Sequence, residues 1–515
     1  MRHIKKLASL LLALVMALSL AVTAFADEST TYSITINNST AGHTYEAYQI
    51  FTGDLATNEA GNKVLSNIVW GSGVSEAGQT ALGDAAAKAE TLKTEADAKA
   101  FAKAVAPYLT TAAGSANTVT DGKYVISGLA AGYYLVKDQD GSLTGDNDSY
   151  TEYIIQVVGN VTATPKSDVP EVQKKVKDIN DSTDTTKTDW QDSADYDIGD
   201  SIPFQLKATL ADNVSSYTTY KVVFHDTLSK GLTYNNDAKV YIDGTETNRF
   251  TVTATVNADG TTTLTVSCDD VKALGAGNSS VITVEYTAKL NENAVLGSVG
   301  NPNEVYLEYS NNPNKSEEGN NETGETPKDV VIVFTYKTII NKVDSETKPL
   351  TGAAFKLEKL IKGEDGAADT WTTVKEFAVD GTTTSFTFSG LDDGQYKLTE
   401  TKTPVGYNTI DPIYFVIEAT HGETADVPTL KTLNAYLTDA NGNKQTEMKD
   451  GESVNIDLGT VDLTAGSITT TVVNKSGSEL PSTGGIGTTI FYVLGGVLVL
   501  AAVVLLVTKK RMGNN

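Results

Sequence analysis

The chain has 515 residues, of which 40% are hydrophobic, with one cysteine and a formal net charge of −25. This acidic balance argues against nucleic acid or an anionic membrane as partner, because like charges repel. A single cysteine, Cys268, cannot form an intramolecular disulfide, so it is predicted to be a small buried hydrophobic residue. The length is too great for one core and predicts about three domains.

Residues 1–26 have the pattern of a secretory signal peptide. A basic start precedes an apolar run over residues 7–22, and Ala24 and Ala26 place small residues at the cleavage positions. We therefore expect an extracellular protein whose mature form begins at Asp27.

The rest of the chain consists mostly of short alternating runs rich in Val, Thr, Ile and Tyr, interrupted by Gly, Asn and Asp. This pattern predicts an all-β chain of tandem immunoglobulin-like β-sandwiches. Residues 75–109 are rich in Ala, Glu and Lys and predict one or two helices inserted in the first domain. Residues 310–328 are too polar to pack and predict a long loop or linker. The predicted domains are 27–167, 168–330 and 331–478, followed by a tail over 479–515.

An internal repeat relates the first and last domains. Residues 126–138 (ISGLAAGYYLVKD) match residues 388–400 (FSGLDDGQYKLTE), and both predict a strand, a turn and a second strand. Asp138 takes the place of Glu400, but the first strand, 31–37, contains no lysine. We therefore expect no internal cross-link in this domain, a solvated Asp138, and the lowest stability of the three domains.

Polar side chains fall on the predicted core face of three strands in the middle domain. The two-residue period of a strand places them among apolar neighbours. They are Lys174 in EVQKKVKD, Asp226 in KVVFHDTLSKGL, and both Asn301 and Asn303 in GNPNEVYLEYS. His225 falls on the opposite face and is expected to be a surface residue.

The segments FHDTLSKGLTY and GNPNEVYLEYS resemble the fimbrial isopeptide-forming domain of Gram-positive backbone pilins. The resemblance implies an isopeptide bond between Lys174 and Asn303, with Asp226 as the catalytic acid. Asn301 falls on the same strand face as Asn303 and remains an alternative acceptor. Lys175 adjoins Lys174 and remains an alternative amine.

The last domain repeats this parity with Lys342, Glu400 and Asn474. A buried amine loses its proton and becomes a nucleophile, whereas a buried carboxylic acid stays protonated and can donate to the asparagine carbonyl. Attack on that carbonyl expels ammonia and leaves a Lys–Asn isopeptide bond. The segments KVDSETKPLTGAAFKL and LTETKTPVGY resemble a collagen-adhesin B-type domain, which implies Lys342 as amine, Glu400 as acid and Asn474 as acceptor.

The junction after the first domain contains the segment Thr164-Pro165-Lys166-Ser167. It resembles the YPKN pilin motif of backbone pilins, although only the proline and the lysine are kept. The resemblance implies that Lys166 accepts the sorting-motif threonine of a neighbouring subunit, and Pro165 would hold the chain extended there. Lys123 and Lys137 are the alternative acceptors.

The tail carries a five-residue motif formed by Leu480, Pro481, Ser482, Thr483 and Gly484. An apolar run over 490–507, which predicts a transmembrane helix, and a basic end follow it. Their order resembles the LPxTG sorting signal that sortases read. The resemblance implies cleavage between Thr483 and Gly484 and transfer of the Thr483 carbonyl to an amine.

Together these features predict the major backbone subunit of a covalent fimbrium on a Gram-positive cell wall. The expected partners are a pilin-type sortase, a housekeeping sortase, other copies of the chain, ancillary pilins and peptidoglycan, with no cofactor and no metal. The alternatives are a monomeric wall-anchored adhesin that binds a host or matrix polymer, and an ancillary pilin. An enzyme is disfavoured, because the four histidines, His3, His43, His225 and His421, form no metal-spaced or triad-like pair.

Overall fold

The computed structural model describes residues 31–57, 63–143, 148–151, 154–156, 159–165, 167–317, 319–445 and 456–477. The chain divides into two compact units. The first contains Met1–Ile179, Thr186–Thr335 and Thr420–Lys431, and the second contains Asn180–Thr185, Tyr336–Ala419 and Thr432–Asn515. The predicted signal peptide and sorting tail lie outside the described residues, and the division into three domains stays a prediction.

The strands up to the break at Thr335 are β1 (Tyr32–Asn37), β2 (Tyr45–Thr57), β3 (Lys63–Trp70), β4 (Gly114–Ala116), β5 (Lys123–Leu129), β6 (Tyr133–Asp138), β7 (Ile154–Gln156), β8 (Val161–Ala163), β9 (Glu171–Val176), β10 (Ser193–Asp195), β11 (Ser201–Thr209), β12 (Val222–Leu228), β13 (Leu232–Tyr234), β14 (Lys239–Ile242), β15 (Thr245–Thr247), β16 (Thr251–Val256), β17 (Thr262–Cys268), β18 (Val281–Leu290), β19 (Asn301–Ser310), β20 (Ser316–Glu317), β21 (Asn320–Asn321), β22 (Thr323–Glu325) and β23 (Asp329–Phe334).

The later strands are β24 (Tyr336–Asp344), β25 (Ala354–Ile361), β26 (Thr370–Glu376), β27 (Ser385–Leu391), β28 (Gly394–Lys402), β29 (Ile413–His421), β30 (Leu430–Thr438), β31 (Ile456–Asp462) and β32 (Ser467–Asn474). The helices are α1 (Glu76–Leu82), α2 (Ala85–Thr91) and α3 (Glu95–Val105), with 3-10 turns at Ala106–Tyr108, Val214–Ser216, Lys272–Leu274 and Glu364–Gly366. The all-β prediction is confirmed.

The helical insertion contains three helices rather than the one or two predicted. Each begins at a side chain that accepts a backbone N–H hydrogen bond, namely Ser75, Asp84 and Thr94. Thr94 forms a reciprocal capping box with Asp97, which satisfies two backbone donors at the start of α3. These caps divide the Ala-rich stretch into short helices, because each capping residue marks the start of a new helix.

Two sheets, β5-β1-β8 and β3-β2-β6-β7, form the first sandwich. The repeated segment is the connection by which the chain leaves β5 in one sheet and enters β6 in the other. The corresponding strands β27 and β28 also lie in different sheets, and both β1 and β24 pair in parallel with a later strand. The repeat therefore marks the same sheet-to-sheet crossing in two sandwiches.

The middle sandwich packs a six-stranded sheet, β15-β14-β18-β11-β9 with β13, against a seven-stranded sheet, β10-β23-β19-β12-β17-β16 with β22. Cys268 belongs to the core between them, as predicted. The prediction that residues 310–328 are too polar to pack is wrong. They contain β20, β21 and β22, and Ser310 and Ser316 are buried. Their hydroxyls form hydrogen bonds with backbone groups, which permits this burial.

The later sandwich is built from the sheets β27-β24-β32-β31 and β26-β25-β28-β29-β30. Its first and last strands, β24 and β32, lie side by side and parallel, in a register that runs from Lys337 beside Ser467 to Asp344 beside Asn474. Lys342 is therefore paired with Val472, two residues before Asn474. This pairing brings the two ends of the sandwich sequence together.

The transmembrane prediction is contradicted. None of the helices in the described residues is long and apolar enough to cross a membrane. The run over 490–507, on which that prediction depended, lies outside them.

Candidate functional site

A fully buried polar cluster lies between the two sheets of the middle sandwich. Lys174 of β9, Asp226 of β12 and Asn303 of β19 each have no exposed surface. Lys174 Nζ donates to Asp226 Oδ1 at 2.5 Å and to the Tyr286 hydroxyl of β18 at 3.2 Å. The Tyr286 hydroxyl also donates to Asp226 Oδ2 at 2.5 Å and accepts from Asn303 Nδ2 at 2.8 Å. The fold thus gathers an amine, an acid and a carboxamide around one phenol.

Burial favours the neutral forms of the amine and the acid in this cluster. It lowers the pKa of Lys174, against the attraction of Asp226, and it raises the pKa of Asp226, against the attraction of Lys174. A neutral lysine is a nucleophile, and a neutral carboxyl group can donate a proton. Asn303 Oδ1 is buried and has no hydrogen-bond partner among the described residues. The carboxamide therefore has a carbonyl oxygen that is free to accept a proton or hydrogen bond.

The two asparagines of β19 occupy different environments, although both are buried. Asn301 Nδ2 donates to the carbonyls of Val295 and Val333, each at 3.1 Å, and its Oδ1 accepts from the Val295 amide at 2.8 Å. These bonds satisfy the Asn301 carboxamide locally, away from the lysine. The structure brings Asn303, rather than Asn301, to the hydroxyl that also contacts Lys174.

The competing residues on neighbouring positions lie outside the cluster. Lys175 projects from the other face of β9 and forms an ion pair with Asp192. His225 lies within 2.9 Å of Glu308, with its side chain 24% exposed. Neither side chain is in the buried cluster.

A second buried cluster lies in the later sandwich. Lys342 of β24 and Asn474 of β32 have no exposed surface, and Glu400 of β28 is 5% exposed. Asn474 Nδ2 donates to the two carboxyl oxygens of Glu400 at 2.9 and 3.0 Å. Lys342 Nζ donates to the backbone carbonyls of Val343 and Val472 at 3.0 Å. The amine is thus held by the backbone, and the carboxamide by the acid.

The electrostatics of this second cluster also favour a nucleophilic amine. Burial lowers the pKa of Lys342 to about 8, against the attraction of Glu400. Asn474 Oδ1, like Asn303 Oδ1, is buried without a hydrogen-bond partner among the described residues. Both clusters therefore present the same chemical set in different arrangements.

The prediction that Asp138 is a solvated strand-end residue is wrong. Asp138 is 2% exposed, its Oδ1 lies 2.8 Å from His43 Nδ1, and its Oδ2 accepts from the Thr151 amide at 2.6 Å. The first sandwich thus retains a buried acid at the repeat position, with a histidine as its partner. Sequence parity did not reveal this partner, because His43 precedes β2 in a loop.

The candidate acceptors differ in accessibility. Lys166 lies outside the described residues, as do Leu480, Pro481, Ser482, Thr483 and Gly484. Lys123 is exposed. Lys137 is 7% exposed and donates to Asp140 Oδ1 at 2.8 Å, so burial and this ion pair disfavour Lys137 as an acceptor.

One group of side chains in the first unit has ligand atoms close enough for a metal ion, namely Asp178, Asp195 and His421. His421 Nε2 lies 3.4 Å from Asp178 Oδ2 and 3.7 Å from Asp195 Oδ1. Burial opposes the charge of His421, but its bonds to the two carboxylates raise its pKa to about 10. The ring thus supplies the positive charge between the carboxylates, and the absence of a metal stays a prediction.

Tyr286 is the residue of the middle cluster that sequence reasoning missed. In the alternating run VITVEYTAKL its ring shares a face with Ile282 and Val284, which is typical of an ordinary core aromatic residue. The available signal was the hydroxyl itself, because a phenol on a fully buried face needs a polar partner.

Family models match three parts of the chain. Residues 198–313 match the Gram-positive pilin backbone subunit 2, Cna-B-like domain, residues 337–431 match a prealbumin-like fold domain, and residues 472–512 match the LPXTG cell wall anchor motif.

Among curated proteins, the trypsin-resistant surface T6 protein of Streptococcus pyogenes serotype M6 is 26% identical over 450 residues, which are 76% of this chain and 77% of that protein. The T6 backbone pilin structure from the same serotype aligns with a TM-score of 0.55 and 18% identity, over 88% of this chain and all of that one. The major pilin SpaD of Corynebacterium diphtheriae aligns over 88% of this chain and all of its own at 18% identity, with a TM-score of 0.49. The T6 alignment supports the fold of tandem sandwiches.

Proposed function

We propose that this chain forms a head-to-tail covalent polymer with internal cross-links. Parts of the chain match the Gram-positive pilin backbone model and the LPXTG cell wall anchor motif. The chain is a structural subunit of a wall-anchored surface pilus. The observation that carries the proposal is the pair of buried Lys–acid–Asn clusters, which contain the amine, acid and carboxamide that internal cross-links need. This family match favours the backbone role over a monomeric adhesin or an ancillary pilin.

The internal chemistry is isopeptide formation at both clusters. Lys174 attacks Asn303 with Asp226 as the acid, and Lys342 attacks Asn474 with Glu400 as the acid. Each reaction forms an N–C bond and releases ammonia, and the dry, closely packed cluster favours it. The neutral forms favoured by burial and the unpartnered Asn oxygens support this assignment. Each bond closes a loop of more than about a hundred residues, which by analogy with disulfides stabilises the fold by about 4–5 kcal/mol.

The two internal bonds also make the subunit suited to tension. Lys342 lies on the first strand of the later sandwich and Asn474 on its last strand, and these strands are parallel neighbours. A bond between them carries a pulling force directly from one end of the sandwich sequence to the other. The remaining strands then bear little load, so the sandwich extends little under shear.

The bond between subunits joins the Thr483 carbonyl to the Lys166 amine of the next copy. A pilin-type sortase forms it, and a housekeeping sortase attaches the base of the fibre to peptidoglycan. Pro165, Ser167 and Asp168, the neighbours of Lys166 in the sequence, border a surface cleft of about 370 Å³. A proline before the lysine keeps this strand end out of a sheet ladder.

Peptide mapping of pili from the native host tests the intersubunit bond. We expect multimers that contain a Thr483–Lys166 linked peptide. Lys166→Arg should leave only monomer, while Lys123→Arg, which removes a different exposed lysine, should leave the ladder intact. Monomer alone in the unmodified strain, attached to wall peptide, contradicts head-to-tail polymerisation.

The intact mass of residues 27–479 tests the internal bonds separately. We expect a mass lower than that of the sequence by two ammonia molecules, and linked peptides 174–303 and 342–474 after digestion. Full sequence mass excludes both internal bonds without affecting the polymerisation result.

A further inference from the structure

The Tyr286 hydroxyl is the common contact of every reacting group in the middle cluster. It lies 2.5 Å from Asp226 Oδ2, 2.8 Å from Asn303 Nδ2 and 3.2 Å from Lys174 Nζ. The ring is 3% exposed, stacks on Phe204 at 5.5 Å between centroids, and meets Tyr234 edge-on at 5.6 Å. These contacts fix the ring, so its hydroxyl has a defined place among the three groups.

This placement addresses a proton problem in the proposed cross-link. The nitrogen that leaves Asn303 must depart as ammonia, because an amide anion is too poor a leaving group. It must therefore gain a proton as the Cγ–Nδ2 bond breaks. Bulk water is remote, since Lys174, Asp226 and Asn303 have no exposed surface. The contact that Asn303 Nδ2 makes in this cluster is the Tyr286 hydroxyl.

We propose that Tyr286 is a catalytic residue that relays a proton from Asp226 to the departing Asn303 nitrogen. This inference rests on the proposed isopeptide bond between Lys174 and Asn303. It assigns to the phenol a step that Asp226 does not perform directly, because the hydroxyl lies between the acid and the leaving nitrogen.

The relay conserves atoms and charge. Neutral Lys174 Nζ attacks Asn303 Cγ with its lone pair, and the carbonyl π electrons move onto Oδ1. In this reacting state Asp226 carries its proton on Oδ2, so that its 2.5 Å contact with the Tyr286 oxygen runs from acid to phenol, and the Tyr286 hydroxyl turns its own proton toward Nδ2. Nζ then gives one proton to Asp226 Oδ1, Asp226 Oδ2 gives its proton to the Tyr286 oxygen, and the Tyr286 hydroxyl gives its own proton to Nδ2. The carbonyl re-forms as the Cγ–Nδ2 bond breaks. Asp226 ends protonated on Oδ1 instead of Oδ2, Tyr286 has regained one proton for the one it gave, the lysine nitrogen has lost one proton, and ammonia leaves.

The environment keeps the phenol in the state that a relay needs. Burial raises the pKa of Tyr286 well above its usual value. The phenol therefore holds its proton until an acceptor appears. The Asn303 nitrogen becomes that acceptor only after attack, when its lone pair is no longer delocalised into the carbonyl.

The cluster around Lys342 needs no residue to relay a proton, unlike the cluster around Lys174. There Asn474 Nδ2 contacts both carboxyl oxygens of Glu400 directly. Glu400 can therefore deliver a proton to the leaving nitrogen without an intermediary. The bond between Lys342 and Asn474 is an internal control in the same molecule, because a change at Tyr286 should not affect it.

The test is a time course of cross-linking in residues 27–479. The chain is made by cell-free synthesis, captured unfolded in urea, refolded, and digested at intervals for mass spectrometry of the two linked peptides. We expect Tyr286→Phe to slow the 174–303 bond on the order of 100-fold and to leave the 342–474 bond at its normal rate. The matched control is Tyr234→Phe, whose hydroxyl accepts from the Ala238 amide outside the cluster and which should slow neither bond.

A second measurement separates chemistry from packing. In a Lys174→Met background, which cannot form the bond, the melting temperatures with Tyr286 and with Phe at 286 are compared. Similar melting temperatures, together with the slowed bond, support the relay. A 174–303 bond that forms at the normal rate in Tyr286→Phe overturns it, and so does a slowed bond accompanied by a large loss of melting temperature. If the unchanged chain never yields the 174–303 peptide, the isopeptide proposal fails instead.

Discussion

The clusters around Lys174 and Lys342 contain the same three functional groups but connect them differently. In the middle sandwich the amine of Lys174 donates a hydrogen bond to the acid, and the carboxamide of Asn303 donates one to the phenol of Tyr286. In the later sandwich the amine of Lys342 donates to two backbone carbonyls, and the carboxamide of Asn474 donates to the acid. The comparison teaches that β-sandwiches can bury the same three groups with different hydrogen bonds. Whether the acid contacts the carboxamide directly decides whether the proposed reaction needs a further residue to transfer a proton.

The first sandwich extends this comparison, because it keeps the acid and lacks the amine. Asp138 occupies the repeat position of Glu400 and is just as buried, but its partner is His43. With no lysine on β1, this polar cluster has no amine to supply a bond. The same fold position thus holds an acid that contacts a carboxamide in one sandwich and an acid that contacts a histidine in another.

The largest expected effect is the loss of the acid in the middle cluster. Asp226→Asn should abolish the 174–303 bond and leave one more ammonia in the intact mass, because the carboxyl group that takes the proton from Lys174 and passes one on is gone. We expect a loss of about 4–5 kcal/mol in the unfolding free energy, the entropy of the lost loop closure, measured by denaturant titration. Asp192→Asn, which affects the Lys175 pair on the other face, is the control. If Asp226→Asn still weighed two ammonia molecules less than its own sequence, the role of the acid would be contradicted.

A smaller loss of stability is expected from substitution of Asp138, the buried acid of the first sandwich. Asp138→Asn keeps the shape but removes the charge beside His43, and it should destabilise the first sandwich by about 3 kcal/mol, as for a broken buried pair. Thermal unfolding of the full mature chain measures this loss. The intact mass should remain equal to that of the chain with both cross-links. A change in ammonia loss would show that this sandwich also performs cross-linking chemistry.

The two asparagines of β19 sharpen the comparison within one strand. Asn303→Ala should prevent the middle bond, whereas Asn301→Ala should leave it intact and cost about 1–3 kcal/mol, because backbone groups of Val295 and Val333 lose their partners. Peptide mapping and denaturant titration of the same two variants give both numbers. The reverse pattern, with the bond lost only in Asn301→Ala, assigns the acceptor to Asn301.

The smallest effect concerns pH and distinguishes the two amines. The pKa of Lys342 is lowered to about 8, so the neutral amine increases as pH rises through that value. The refolding chain should therefore form the 342–474 bond about fivefold faster at pH 8 than at pH 7. The 174–303 bond should change less, because Lys174 exchanges its proton with Asp226 inside the cluster. Equal pH profiles for the two linked peptides would remove this distinction.

Strand parity was sufficient to predict most of both clusters from the sequence. A lysine, an acid and an asparagine on apolar strand faces must meet when two sheets pack face to face, and the structure brings Lys174, Asp226 and Asn303 around one point. Parity could not separate Asn301 from Asn303, since both face the core and only their local hydrogen bonds differ. It also gave no reason to select Tyr286 from the many tyrosines of the core.

The remaining errors have a common physical source, namely polar groups whose partners are distant in the sequence. Asp138 looked solvated because His43 and Thr151 are far from it along the chain. Residues 310–328 looked like a linker because their partners are backbone groups elsewhere, such as the Lys221 amide that donates to Ser310. Composition measures how much apolar surface a segment can bury, but it does not show which polar groups will be satisfied on folding.

Cys268, buried at 9% exposure at the end of β17, is the one sulfur of the chain that could undergo thiol–disulfide exchange. A subunit without an internal disulfide has no internal bond that a thiolate can break. Amide cross-links do not respond to reduction potential. The strength of this subunit should therefore be the same in oxygen-poor, thiol-rich surroundings as in air. The reduction potential of the surroundings should then have no effect on the lifetime of the fibre.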